Sequence, residues 1–507
     1  MLFQHKFKKL GRTISLNVNT QLTEKNNDGV YVSKNVYSDT IISGLDQIFG
    51  TYSNSKKISV NLSYTEPINK YAQIQINYNP SYTKSLSNKV TDDKDTITGN
   101  YNDFNTALSN KYNNVYQTQR GGLSYKYSKN KLNASVGSDV QTSNLNGMQT
   151  FPIAIPINKN FGNILPNAQL NYKISKSKNL RINYRTNTNI PNISQLQNVL
   201  DVSNPLQIKE GNADLKQTFE NNLNIRFGGF NAKTSRNAMI FLNGNLSDNY
   251  ISNGTYTLKR DSLMQGYYVK AGSQLTKPVN LNGYYTARAF FVYGFPVVKL
   301  KSNLNVNGGV NYSHIPTLIN NVLNYSNSSA ISSGIFIGSN VSSNLDFSIG
   351  YNGNYTIVKN SIQKSSDNNF LTHSATFKIN CILFKGLVLN SDVTYTRYTG
   401  LSQSYNQEYY LWSAYAGYKF LKSKLLEAKI SVFDILNQNR SISRTVTGAY
   451  TEDSYTAVLK RYVMFTLTYT IKHFKSGTPP KVEAEENLFP GGRPPGMPGR
   501  MGGGNNY

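Results

Sequence analysis

For most of the chain, apolar and polar side chains trade places one by one, in short runs separated by turns. Ile58, Val60, Leu62 and Tyr64 interleave with Ser59, Asn61, Ser63 and Thr65. Leu123, Tyr125 and Tyr127 do the same, as do Leu132, Ala134 and Val136, then Leu180, Ile182 and Tyr184. Near the end come Phe377, Ile379 and Cys381, then Val463, Phe465, Leu467, Tyr469 and Ile471. A period of two places successive side chains on opposite faces of a β-strand, one face apolar and one polar. So many half-polar strands in 507 residues, of which 38% are hydrophobic, leave too little apolar material for a dry sandwich core. An apolar outside around a wet inside fits, and the expected fold is all-β: an antiparallel transmembrane β-barrel.

Bulk hydropathy alone points the other way. The mean hydropathy is -0.46, and no stretch approaches the roughly 18 consecutive apolar residues of a membrane helix. Barrel strands escape that test because half of each strand faces water. The 37 Tyr and 23 Phe against a single Trp suit both β-strands and interfacial girdles. An extracellular solenoid or a string of sandwiches would need a repeat period, and none is present.

The net charge of +26, from 53 Lys+Arg and 27 Asp+Glu, raises the question of nucleic acid. The basic residues lie in turns and on the polar parity of strands, without a basic helix or a nucleic-acid motif, so no nucleic-acid partner is expected. The lone Cys381 excludes an intramolecular disulfide and a multi-cysteine metal site; its parity makes it a lipid-facing or packing residue. His5, His314, His373 and His473 are scattered, with no nucleophile elbow and no phosphate loop before a helix. No enzymatic role, no cofactor and no metal site are expected.

Turns fall into two alternating populations. The short ones are 66–70, 128–131, 175–179, 342–344, 384–386 and 421–424; the long ones are 83–113, 142–165, 190–218, 249–265, 314–330, 359–369, 399–408 and 435–460. Bacterial barrels have short periplasmic turns and longer extracellular loops, so this alternation sets the orientation and gives about 18 strands. Residues 1–7 read as the tail of a further strand. The barrel is expected over 1–475 and a disordered, Pro/Gly-rich periplasmic tail over 476–507. Met1-Leu2-Phe3-Gln4-His5-Lys6 lacks a signal peptide's apolar region, which leads to the expectation that the chain is the C-terminal part of a longer protein.

On the polar parity, Lys126, Lys173, Arg181, Arg185 and Arg226 are expected to line the wall toward the periplasmic mouth. Lys173 is expected to face Arg181 across their hairpin, with few acids nearby. Such a wall is either solvated charge, a contact for a plug, or an attractor of anionic solute.

The segment 190–218 is the most distinctive: Pro191-Asn192-Ile193-Ser194-Gln195-Leu196 leads to Asn204-Pro205-Leu206 and then Gly211-Asn212-Ala213-Asp214-Leu215-Lys216. This pattern before a strand resembles TonB-dependent receptors, and most of all their Bacteroidota outer-membrane β-barrel branch. Lys8-Lys9-Leu10-Gly11-Arg12-Thr13, Asp434-Ile435-Leu436-Asn437-Gln438-Asn439 and Arg461-Tyr462-Val463-Met464-Phe465-Thr466-Leu467 are similar to that branch as well. The resemblance implies a 22-strand barrel of which this chain carries the C-terminal portion, without plug or TonB-contacting segment. It implies energised uptake of a large, scarce solute such as a metal chelate, vitamin, oligosaccharide or peptide. The implied partners are outer-membrane lipid and lipopolysaccharide, the plug, and a TonB-type complex in the inner membrane. Candidate solute-binding residues are Asn192, Gln195, Asp201, Asn204 and Asn212 in the loop, with Arg181, Arg185, Lys173 and Arg226 in the lumen. A passive porin-like channel and a surface adhesion or structural barrel are the alternatives.

Overall fold

The alternating runs pair into one continuous antiparallel wall. The computed structural model describes residues 1–471 apart from 38–39, 107, 197–199, 202–203, 205, 266, 340–341, 343, 365–366, 385, 402–406, 422–424, 447–450 and 457. The tail expected at 476–507 and His473 lie outside the described residues.

In chain order the wall begins Leu2–Lys6, Thr13–Tyr37, Thr40–Pro67 and a strand in two pieces, Ala72–Tyr78 and Ser81–Lys94. It continues Asn110–Lys129, Leu132–Phe151, Ile155–Ser175, Lys178–Asn189, Thr218–Asn231 and Arg236–Asp248. Then follow Tyr284–Val297, Ser302–Ile319, Val322–Ser339, Leu345–Asn360 and Asn368–Leu383. Leu387–Thr399, Glu408–Phe420, Leu426–Phe433 and Tyr462–Tyr469 complete it. Each pairs antiparallel with the next. After the short Leu2–Lys6, eighteen strands are present among the described residues, in line with the sequence. The break at Asn79-Pro80 costs little, because the Pro80 carbonyl still accepts from the Val60 amide at 3.0 Å.

Parity fixes the two faces. Leu16, Leu62 and Tyr78 align in register on one face, and Leu123, Val136, Leu170, Ile182 and Ile225 follow on neighbouring strands. Val136 is 59% and Ile164 67% exposed; so broad an exposed apolar band is a lipid-facing surface. Aromatic residues edge it. His314 stacks between Tyr285 and Tyr325, with ring centroids 4.8 Å and 4.6 Å away. His373 lies between Tyr351 and Tyr395 at 6.0 Å and 5.9 Å. The two histidines thus belong to girdles, where ring faces sit at the interface. Cys381 is partly exposed between Leu345 and Leu389, on the apolar parity.

Several segments expected as long loops are strand instead. Residues 142–165 continue as the hairpin of Leu132–Phe151 with Ile155–Ser175, and 314–330 fold around a two-residue turn at Asn320 and Asn321. Both turn residues have positive φ, 49° and 68°, the conformation that a tight hairpin requires and asparagine tolerates. These strands outrun the membrane. Beyond it one face stays exposed while the other packs on Leu196 and Leu215 or on Tyr250–Thr257, so the apolar alternation fades while the backbone pairing persists.

Candidate functional site

The lumen-facing parity builds the candidate site. On Lys178–Asn189 it carries Arg181, Asn183, Arg185 and Asn187, and the register extends each as a level around the wall. Arg181 lies directly opposite Arg226 on one side and Asn171 on the other. Lys173 pairs with Asn179 rather than with Arg181, because the turn is a tight two-residue one at Lys176 and Ser177 and the register slips by a further residue at a bulge between Lys178 and Asn179. The expected Lys173–Arg181 pair is thereby corrected: the two are diagonal, and the directly opposed cations are Arg181 and Arg226. The Arg226 guanidinium reaches the Met239 sulfur at 3.8 Å. Lys126 lies between Gln73 and Ser135 on the same face.

One step up, an amide belt runs through Gln169, Asn183, Asn224 and Asn243 to Arg288 and Asn311. Asn243 donates to the Asn224 Oδ1 at 2.8 Å, and on the next level Asn245 donates to the Asn222 Oδ1 at 3.1 Å. Arg288 was missed in the sequence although its parity, between Ala287 and Ala289, carries the signal. Arg185 faces Asn167 and Asn222.

The wall holds more acid than expected, but it is engaged elsewhere. Glu220 is diagonal to Arg185, and its oxygens accept from Asn187 at 2.8 Å and Asn189 at 2.6 Å. Asp139 pairs with Arg120, Nη2 to Oδ2 at 2.5 Å. Among the described residues, Arg181, Arg185, Arg226 and Arg288 have no carboxylate within ion-pair distance. Beside them a cavity of about 230 Å³ is lined by Asn77, Arg120, Asp139, Asn167, Asn183 and Arg185. Such a wall attracts anions, because a concave surface of one sign focuses its field.

Above this wall the described residues of 190–218 form a packed inner layer, the roof, against the strand extensions and neighbouring loops. Asn192 caps the short helix Ile193–Leu196: its Oδ1 accepts from the Gln195 amide at 2.8 Å and the Ser194 hydroxyl at 2.7 Å. The Gln195 Oε1 accepts in return from the Asn192 amide at 2.9 Å, a reciprocal cap. Asn204 Oδ1 accepts from the Leu206 amide at 3.0 Å. Asn212 Oδ1 accepts from the Asp214 amide and its Nδ2 donates to the Pro278 carbonyl, both at 3.0 Å. Asp201 sits in the two-residue strand Leu200–Asp201, opposite Lys209. The polar residues picked from this segment therefore shape its turns with the groups named here.

Its leucines anchor it. Leu196 and Leu215 are buried with Leu145 and Ile157, and Leu200 and Ile208 with Leu108 and Val269. Gln207–Glu210 also pairs in parallel with Gln274–Leu281, binding the roof to the strands that follow Tyr250–Thr257. A further hairpin, Ser262–Met264 with Tyr267–Val269, closes around Asp261. The Ala271 amide donates to the Asp261 Oδ1 at 2.8 Å and Lys270 to its Oδ2 at 3.0 Å. These donors, the Ala271 amide first, hold the Asp261 carboxyl below its ordinary range.

Among the described residues, no group of three or more His, Cys, Asp and Glu side chains is placed to hold a metal ion. No helix there is long and apolar enough to cross a membrane, which says nothing of strands.

No curated protein matches the chain. Among solved structures it is similar to the copper transporter OprC, at 9% identity and a TM-score of 0.45, covering 92% of this chain and 79% of that one. It is similar to P. aeruginosa FpvA bound to a heterologous pyoverdine, at 13% identity and a TM-score of 0.47, covering 92% of this chain and 55% of that one. The Serratia marcescens hemophore receptor HasR matches at 12% identity and a TM-score of 0.42, over 92% of this chain and 70% of that one. Residues 5–469 match the outer membrane protein beta-barrel family; the chain belongs to that family and is a protein of the bacterial outer membrane.

Proposed function

We propose that this chain forms the barrel of a TonB-dependent transporter of the Bacteroidota branch, which takes up a large, scarce solute: a metal chelate, vitamin, oligosaccharide or peptide. The observation that carries the reading is the stack of arginines Arg181, Arg185 and Arg226 on the lumen wall, free of carboxylate partners among the described residues, beside the layer packed from the described part of 190–218. A roofed, basic lumen suits a barrel that holds an acidic plug face or an anionic solute better than an open pore. In this reading the roof captures solute, the plug occupies the lumen against the arginines, and a TonB-type complex in the inner membrane supplies the pull. The role is transport, not catalysis.

The test is uptake by cells expressing the protein, compared with a deletion strain, across the four solute classes. Uptake of one class that a protonophore abolishes is the expected result. Size-limited diffusion in liposome swelling, with no energised uptake, would establish a passive pore instead. Adhesion without either would establish a surface structural barrel.

A further inference from the structure

The lipid-facing wall carries a charge arrangement that transport does not use. On the outward parity of Thr40–Pro67 the residues ascend from Glu66 through Tyr64, Leu62, Val60 and Ile58 to Lys56. Glu66 marks the lower edge, where it binds Arg12 at 2.7 Å and Lys9 at 2.6 Å. From Glu66 to Lys56 the strand climbs about 33 Å at about 3.3 Å per residue. Tilted as barrel strands are, that is about 25 Å of height, the full apolar band of an outer-membrane barrel. Lys56 therefore stands at the opposite, extracellular edge of the membrane.

Directly across from Lys56 is Lys84, on the same outward face. Residues so placed have Cβ atoms about 4.5–5.5 Å apart, and like charges there repel. Their flanking neighbours in register are Leu22 and Val115, which are apolar. Glu24, diagonal to Lys56, and every other described carboxylate lie outside ion-pair distance of both ammonium groups. Arg397, at a comparable height elsewhere on the outward face, differs: it faces Glu408, with Nε 3.9 Å from Oε2.

Two details identify what neutralises the lysines. Immediately below them Ile58 and Tyr82 are 44% and 40% exposed, an apolar surface for acyl chains. Beside them the same face turns to amides: Gln117 lies next to Tyr82, followed by Asn144 and Asn160, which hydrogen-bond at 2.5 Å. A free anion has no use for the apolar surface, whereas a lipid with a phosphorylated sugar headgroup matches all three zones. We infer that Lys56 and Lys84 form a binding site for a phosphate of an outer-leaflet glycolipid, held between the two ammonium groups by charge-assisted hydrogen bonds, with its acyl chains on Ile58 and Tyr82 and its sugars on the amides.

The experiment is native mass spectrometry of the full chain in neutral detergent, titrated with bisphosphorylated lipid A, its dephosphorylated form, or inorganic phosphate. Wild type is expected to bind one bisphosphorylated lipid A in preference to the dephosphorylated form, and inorganic phosphate is not expected to displace it. The double variant Lys56→Gln/Lys84→Gln should weaken that binding about tenfold or more, by the scale of a lost charge-assisted contact. Lys56→Arg/Lys84→Arg should keep it, and so should Lys57→Gln, which changes the lumen-facing neighbour. Heat-modifiable migration on gels verifies that each variant is folded, and Lys84→Gln alone replaces the double variant if that fails to assemble. Equal binding by the Gln variants, or equal binding of the dephosphorylated lipid, would overturn the site. Displacement by inorganic phosphate would make it a free-anion site and overturn the lipid assignment.

Discussion

Arg181 sits directly across the sheet from Arg226 on the lumen face, and the described neighbours supply neither with a carboxylate. Two cations in that register destabilise the wall on their own, by analogy with the roughly 0.2–1 kcal/mol measured for cross-strand pairs. The arrangement makes sense if something anionic occupies the lumen beside them. Arg226→Gln in the isolated chain should leave thermal stability unchanged or raise it by up to about 1 kcal/mol. In cells expressing the protein, Arg181→Gln/Arg226→Gln should raise passive leak. Loss of stability in the isolated chain, read from the heat-modifiability midpoint, would mean that the barrel itself already neutralises the pair.

The same strand tests the assignment of faces. Ile182 lies between Leu170 and Ile225 on the lipid side, and Asn183 between Gln169 and Asn224 on the water side. Ile182→Arg should cost about 2–4 kcal/mol near the midplane, whereas an arginine in the lumen meets water. The expected outcome is impaired assembly for Ile182→Arg and near-normal assembly for Asn183→Arg. Equal folded fractions in outer-membrane preparations would contradict the parity.

The wall was legible because its constraint is local: Ile58, Val60 and Leu62 announce their face without reference to any distant residue. The partner of Arg181 was not. Its opposed cation lies beyond the 190–218 segment, and its relation to Lys173 turns on a two-residue turn at Lys176 and Ser177 and a bulge at Lys178/Asn179 that no residue type advertises. Strand ends were missed for a different reason. In Gln141, Ser143, Asn144 and Asn146 both faces are polar although the backbone stays paired to Asn158–Asn163 partners. The segment around Gln195 and Leu196 stands out as a motif, and its asparagines are candidate solute ligands by residue type alone. In the structure the hydrogen bonds found for them cap a helix and set turns, and the leucines of the same motif supply the packing.

Hairpin geometry sets the choice of sites for probing sidedness. Asn253, Gly254 and Ser326–Ser329 lie in paired strands, so insertions there would break the ladder. A short epitope between Asn320 and Asn321 interrupts a turn and at most the hydrogen bonds of Asn320 to Thr255 and Thr257, and one between Asn130 and Lys131 likewise falls in a turn. Antibody on intact cells expressing the tagged protein should label the first and not the second. The reverse pattern would invert the barrel and remove the 190–218 roof from the outer surface.

The roof should open without unfolding the wall. Leu215 is 1% exposed, packed with Leu145, Ile157 and Leu196. Leu215→Ala should cost about 2–5 kcal/mol of local stability, as cavity-forming substitutions do. Hydrogen exchange should then speed up in 190–217 while strands such as Lys178–Asn189 keep their protection. Uniform acceleration through the wall would show that roof and barrel unfold together.

Acid should loosen the roof at one hairpin in particular. The folded-state pKa of Asp261 is depressed, chiefly by the Ala271 amide and then by Lys270. A depressed carboxylate contributes stability that is fully present above its unfolded value, about 3.9, and is lost as pH falls through the lower folded value. The Ser262–Met264 and Tyr267–Val269 hairpin should therefore keep its amide protection at neutral pH and lose part of it below about pH 4. Asp261→Asn removes the titrating group but can still accept from Ala271. That variant should show weaker protection at neutral pH and a flatter dependence between pH 6 and about pH 3. If wild type and Asp261→Asn lose protection in parallel on acidification, the pH response belongs to another group and the Asp261 clasp is not what closes the hairpin.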